Sequence, residues 1–436
     1  MKLKRTVQGL AFAAGLASVL VDSAWAEDES GSAGVAGSSR ALILRSDKVV
    51  ALDDREDGVG AYLDDAYVVV RDGVIEQVVS ASEFEPPADA EVRELGDLWL
   101  LPGLIDLHSH IGGTFDINGA VYQANPGLRV STAVRPRNPA IELALAAGVT
   151  TVLFIPGSAT TVGGQGILLK TSAETYEDMR LRDPGSLKVA QADNPKRWGY
   201  GMNRIMLNWQ IREVCRRGKA YAERWEAFER GDGEKPHVDP QFEVFRALVA
   251  EEAQISTHTQ VLQVVLASIQ IMRVELGLPV YIDHGSFDAY KIAHIAEREG
   301  VHAILGPRNF SSENKGRGID HDGRIEGTAA GYQRNGHTSI GFNTDAPVIP
   351  GEELALQAGM ALRFGMTDFD LESVRGLTLV PARAAGIDDR VGSFEPGKHA
   401  DLIAIQGVPG DPRAAVSLVW VEGELVYDAE NDRRLF

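Results

Sequence analysis

The segment "LIDLHSH" ends on two histidines two residues apart, His108 and His110. On an extended strand such residues point to the same side. Two neutral imidazoles so placed can chelate one divalent ion. Alone, the pair is equally compatible with core or surface histidines. The pattern recurs, however. "ISTHT" places His258 at the end of another apolar run, "YIDHG" places His284 at the end of the next, and "IGFNTDAP" puts Asp345 just past the last. Four histidines and one carboxylate, each at the downstream end of a strand-like run, form a coherent ligand set. His237, His294, His302, His321, His337 and His399 fall on loops, on a helix or at strand starts and read as structural. "DHDG" at Asp320–Gly323 lacks the later ligands of a calcium loop and reads as a turn.

These residues need a scaffold that brings strand ends together. Strand-like runs at Leu104–His108, Thr150–Ile155, Leu187–Ala190, Gln254–His258, Val280–His284, His302–Leu305 and Thr338–Phe342 alternate with amphipathic stretches. The latter include Pro139–Ala147, Met202–Phe228, Ala289–Glu299 and Gly351–Phe364. A further strand fits Ile167–Thr171. The rhythm is that of parallel βα units, and about eight of them close an α/β (β/α)8 TIM-like barrel whose site lies at the C-terminal strand ends. A doubly wound sheet is the alternative, but the first strand is followed by no dinucleotide fingerprint, and "GGQG" at Gly163–Gly166 has the wrong spacing. Short β-rich runs flank the barrel at both chain ends, with turn signals at Asp72-Gly73 and Glu422-Gly423. Residues 41–101 and 391–436 are therefore expected to form one small β-sandwich around a barrel of residues 102–390.

Bulk properties narrow the partners. The chain has 436 residues, 44% hydrophobic and 24% charged, with a net charge of -19. That charge disfavours nucleic acid and anionic membranes and does not say what the partner is; a small-molecule substrate is expected from the ligand set, with a homo-oligomer possible. Lys2, Lys4 and Arg5, an apolar run Gly9–Leu20 and the small-x-small site Ala24-Trp25-Ala26 read as a signal peptide over residues 1–26. Residues 27–40, small and polar, read as a disordered linker. Export, secreted or periplasmic, is the expected location. The lone Cys215 rules out an internal disulfide and reads as a half-buried structural thiol.

Taken with the histidines, two longer stretches resemble the amidohydrolase superfamily. "PGLIDLHSH" (Pro102–His110) is similar to its opening motif and "GSFEPGKHADLIAI" (Gly392–Ile405) to its closing one. "TTVLFIPGSATTVGGQGILLKT" (Thr150–Thr171) and "NPKRW…AYKIAHIA" resemble an exported bacterial branch near imidazolonepropionase-like and prolidase-like members. The resemblance implies a metal-dependent barrel hydrolase with one or two divalent ions, Zn2+ foremost, held by His108, His110, His258, His284 and Asp345. It also implies a strand lysine whose carbamate bridges the ions. Lys188 in "LKVA" fits that place; Lys170 in "ILLKT" is the rival, and a mononuclear site with neither is the third possibility. Asp345 would orient a hydroxide and shuttle its proton, and His284 would hold the second ion. The bond cleaved would be C–N, in an amide, peptide or cyclic amide; lactone, ester or phosphotriester hydrolysis and deamination are the alternatives. Substrate contacts are expected from the loops after the strands, at Gln165, Arg197, Tyr200, Tyr290 and Arg308. The stretch Met202–Phe228, with Trp209, Tyr221, Trp225 and Phe228, is expected to pack on the core or a second subunit, or else to cover the site.

Overall fold

The computed structural model describes residues 41–432 apart from 89, 192–193, 199–201, 308–309 and 312–325. The signal-peptide and linker segments, His321, the "DHDG" turn, Tyr200 and Arg308 lie outside the described residues.

β1 (Leu42–Asp53) pairs antiparallel with β2 (Gly60–Arg71), which turns at Asp72-Gly73 into β3 (Val74–Ser80). Both turn residues have positive φ, 51° and 78°. That is the type I′ geometry for which Asp-Gly is suited, because its twist matches that of the strands. β4 (Glu91–Glu94) and β5 (Trp99–Pro102) run parallel to β1.

The chain then builds a second sheet from β6 (Leu104–Ser109), β7 (Val149–Phe154), β8 (Val162–Lys170), β9 (Arg180–Ala190), β10 (Gln254–Thr259), β11 (Val280–His284) and β12 (Ala303–Leu305). A short antiparallel pair, β13 (Phe310–Ser311) and β14 (Glu326–Gly327), precedes its last strand, β15 (Ile340–Phe342). A parallel bridge between Ser109 and Ala346, with the His110 amide donating to the Ala346 carbonyl at 2.8 Å, brings the two edges together into a nearly closed barrel. β6, β7, β10 and β11 are buried along their whole length, as strands covered on both faces must be.

One strand departs from the expected pattern. β8 runs antiparallel to both β7 and β9. The loop Ile155–Thr161 before it is too short for a parallel crossover, which takes about a dozen residues or more. The barrel is therefore mixed, with a hairpin replacing one helical return.

After the barrel the chain rejoins the first sheet through β16 (Leu402–Gln406), β17 (Ala415–Val421) and β18 (Glu424–Asp428). β16 pairs with β5, so the two chain ends share one eight-stranded sheet. The two ends do meet, in this one sheet around Leu44, Val68, Leu100, Leu402 and Trp420; the β-sandwich expected of them is not shown. Glu422-Gly423 repeats the positive-φ turn, at 49° and 79°.

The long helix Arg204–Glu229 buries Leu207, Ile211, Cys215, Tyr221, Ala222 and Trp225 on one face and leaves Trp209 exposed. Asn203 caps it, its side chain accepting from the Met206 amide. Its buried stripe is the core-packing face expected from the sequence. Among the described residues, no helix is long and apolar enough to cross a membrane.

Candidate metal centre

The five ligand candidates meet at one end of the barrel. His108 Nε2 lies 3.4 Å and His110 Nε2 3.3 Å from Asp345 Oδ1. His284 Nε2 lies 3.9 Å from Asp345 Oδ2 and 3.0 Å from His258 Nδ1. These side chains form two overlapping triads, His108–His110–Asp345 and His108–His258–His284, each with donor atoms within 4.8 Å of one another. His108 belongs to both, and Lys188 Nζ sits 2.9 Å from its Nε2.

Neighbouring acceptors fix which nitrogen faces inward. His110 Nδ1 donates to the Ile155 carbonyl at 2.9 Å, and His284 Nδ1 to the Gly306 carbonyl at 2.7 Å. A carbonyl only accepts, so in both rings Nδ1 carries the proton and the neutral ring turns a lone pair on Nε2 toward the cluster. His108 Nδ1 faces Asp283 Oδ2 at 3.2 Å. Lone pairs aimed at the Asp345 carboxylate from little more than 3 Å repel it unless a positive charge, a proton or a metal ion, lies between them. The donor set thus fits a divalent cation by its chemistry as well as by its spacing.

Burial sets the charge states. It drives His108 well below the ordinary histidine value and His284 down to about 4, keeping both imidazoles neutral, the form that binds metal. Burial likewise raises Asp283 to about 8 and Asp106 to about 7, and lowers Lys188 to about 8 against the opposing pull of Asp283 and Asp345. Asp345 differs. Burial pushes it up, but hydrogen bonding from His110 and the charge of His284, which act when those rings take up a second proton, outweigh that, and it lies below the usual carboxylate range. Two of the ligand candidates sit in left-handed backbone, His284 at φ 70° and Asp345 at φ 51°. Such conformations cost about 1–3 kcal/mol each and persist where surrounding structure imposes them. Here they turn side chains into the mouth just where strands end.

Over nearly its whole length the chain resembles proteins of one kind. A family model described as the amidohydrolase family matches residues 324–426, the stretch from β14 through Asp345 to β18. An amidohydrolase structure from Thermotoga maritima MSB8 shares 30% identity at a TM-score of 0.75, covering 89% of this chain and 100% of that one. The chain belongs to the amidohydrolase family. It is a hydrolase of that superfamily. Imidazolonepropionase of Pseudomonas putida (strain GB-1) is 25% identical over 83% of this chain and 92% of its own length. Amidohydrolase tasK of Hapsidospora irregularis is 25% identical over 89% of this chain, which spans 43% of that longer protein.

Within this amidohydrolase barrel the two candidate lysines part company. Lys188 lies on β9, opposite Ser256 of β10, and is fully buried in the histidine cluster. Lys170 ends β8, and because that strand is reversed its end lies beside Thr151, near the start of β7. There its Nζ is 2.5 Å from Asp401 Oδ2. Lys170 belongs to the far end of the barrel and drops out as a ligand.

Two residues expected as substrate contacts are buried. Gln165 is buried, its amide donating to the Pro126 carbonyl at 2.9 Å and its backbone N–H to Leu128, so it anchors the segment that follows β6. Tyr290 is a core residue whose ring packs so closely on Gly331 that an added Cβ there would lie 2.7 Å from it. Arg197 falls on the short helix Asn194–Trp198; Tyr200 and Arg308 are outside the described residues.

Three contributors escaped sequence reading. Asp106 accepts from the Thr344 hydroxyl at 2.5 Å and the His108 amide at 3.1 Å, tying β6 to the strand end that carries Asp345. Asp283 accepts from Ser256 and faces His108. Strand alternation sets Asp283 opposite to its neighbour His284, and only the positive φ at His284 lets both reach the cluster. Ser158, on the loop between β7 and β8, lies 2.8 Å from His258 Nδ1. The "DLH" and "DHG" contexts were the available signals for the two aspartates.

Proposed function

We propose that the protein is a metal-dependent hydrolase that cleaves a C–N bond, in an amide, peptide or cyclic amide, of a small molecule. The observation carrying this is the pair of overlapping triads with Lys188 at their junction. His108, His110 and Asp345 would hold one divalent ion, and His258 and His284 a second, most simply Zn2+. Such ions, when bound, make a nucleophile of water near neutral pH and polarise a carbonyl.

The chain's own groups do the rest. Burial lowers Lys188 toward the uncharged amine form, and that form would add to CO2: an Nζ–C bond forms as one C=O π bond opens, one amine proton passes to solvent, and a single negative charge is shared by two oxygens. Asp345, the carboxylate of the cluster that keeps contact with solvent, is placed to take a proton from the attacking water and return it to the leaving nitrogen. The Gly306 carbonyl orients His284, while Asp283 and Asp106 hold His108 and its strand. The family membership and the imidazolonepropionase relatives support a C–N bond as the target.

Export is part of the proposal and rests on the N-terminal sequence alone; sequencing the mature protein should find Glu27 first. The activity is tested by incubating zinc- or manganese-loaded protein with N-acyl amino acids, dipeptides and cyclic amides and following amine release. Turnover of any class supports the reading. Turnover confined to lactones, esters or phosphotriesters, or to aminopurines, would overturn it.

A further inference from the structure

The loop Ile155–Thr161 is built to hold one hydroxyl against the cluster. It is pinned at its end, where the Thr161 carbonyl accepts from Ala190 and the Val162 carbonyl from Asn125, at 2.9 and 2.8 Å. Gly163, at the start of β8, stands between the loop and the Lys188 stem: a Cβ on it would sit 3.2 Å from Pro156 and 3.6 Å from Lys188 Cγ. Gly157 lets the loop pass Asn118, whose amide would be 2.6 Å from any Cβ there. Between these fixed points Ser158 Oγ stands 2.8 Å from His258 Nδ1. Asp106, Asp283, Ser256 and Thr344, which also support the cluster, are buried, whereas Ser158 is half-buried.

His258 Nδ1 also lies 3.0 Å from His284 Nε2, whose lone pair is fixed by the bond from Nδ1 to Gly306. If those two nitrogens share a cation, as the reading above requires, the Nδ1 lone pair is committed and the serine proton must find another acceptor. Ser158 keeps part of its surface accessible, on the loop that follows the strand end of β7 beside the cluster. We infer that Ser158 is a substrate-contacting residue whose hydroxyl donates to the acyl oxygen of the scissile bond, the oxygen that gains negative charge as water adds. This inference rests on the metal-centre reading. A donor aimed at that oxygen strengthens as charge develops, and the rigid loop fixes its aim before substrate binds.

The test is calorimetric titration of zinc-loaded wild type, Ser158→Ala and Ser158→Thr with methylphosphonate, a tetrahedral anion shaped like the carbonyl after addition. Zinc content is measured on each sample. Ser158→Ala should bind about ten- to a hundredfold more weakly with unchanged zinc, the loss expected for a hydrogen bond to a charged acceptor. Ser158→Thr, which keeps the hydroxyl, should stay within about threefold of wild type. Equal binding by Ser158→Ala overturns the inference, as does absence of binding by zinc-loaded wild type. Loss of zinc in Ser158→Ala would also overturn it, making Ser158 a positioning group for His258. A wild type that takes up no zinc would instead defeat the metal-centre reading itself, and this inference with it.

Discussion

Lys170 and Lys188 are buried lysines on adjacent strands, and the barrel treats them in opposite ways. Lys170 has a carboxylate, Asp401, at 2.5 Å and a second, Glu422, at 3.9 Å. Lys188 has an imidazole nitrogen at 2.9 Å and, among the described residues, no carboxylate oxygen within ion-pair distance. A buried ammonium without a counter-charge is costly, and burial accordingly pulls Lys188 down to about 8. The floor of the barrel neutralises its lysine with a counter-charge. The mouth leaves its lysine without a counter-charge among the candidate metal ligands. The difference is the one expected if the floor is scaffold and the mouth is the proposed site.

The largest effect should come at the mouth. Asp345→Asn is expected to lower kcat/KM by about 10²–10⁴-fold, the span of a lost general acid–base, with little change in midpoint of urea unfolding. Loss of stability with retained activity would break the contrast. At the floor the effect should invert. Lys170→Ala leaves Asp401 buried and unpaired and should cost about 3–5 kcal/mol in urea unfolding, while zinc content per folded chain stays at the wild-type level. Zinc loss there would return Lys170 to the site.

A smaller effect concerns acid stability. His302, before β12, is lowered to about 4, chiefly by burial. An unfolded chain therefore binds its proton at higher pH than the folded one. The stability is full above about 6.5 and falls as pH drops toward 4. With its ring partly screened by solvent, the contribution is on the order of 1–2 kcal/mol. Comparing wild type with His302→Asn at pH 7.5 and 5.0, the wild type should lose more; equal losses would remove this residue from the acid response. Smallest in free energy is Cys215, fully buried and pushed up to about 12 by that burial. Maleimide should label it in urea and not in the native protein; rapid native labelling would contradict the packing of the Arg204–Glu229 helix.

What the sequence made legible was local. A ligand at the end of a parallel strand needs only an apolar run followed by His or Asp, and all five such residues converge. The barrel and the pairing of the chain ends followed from the same rhythm. What stayed hidden depended on direction or distance. The reversal of β8 separates Lys170 from Lys188, and only loop length hinted at it. Asp283 was masked by strict alternation, which a left-handed residue breaks. Gln165 and Tyr290 looked like mouth residues until Pro126 and Gly331, far away in sequence, were seen to occupy them. Ser158 carries no periodic signal; its neighbour is His258, a hundred residues on.

The central claim is that Lys188, within the histidine cluster, completes a two-ion centre. The direct measurement is zinc per chain after reconstitution in bicarbonate buffer, for wild type and for Lys188→Ala. The account predicts about two ions in wild type falling to about one in the variant, with partial recovery on adding acetate. An unchanged zinc count in Lys188→Ala would contradict it.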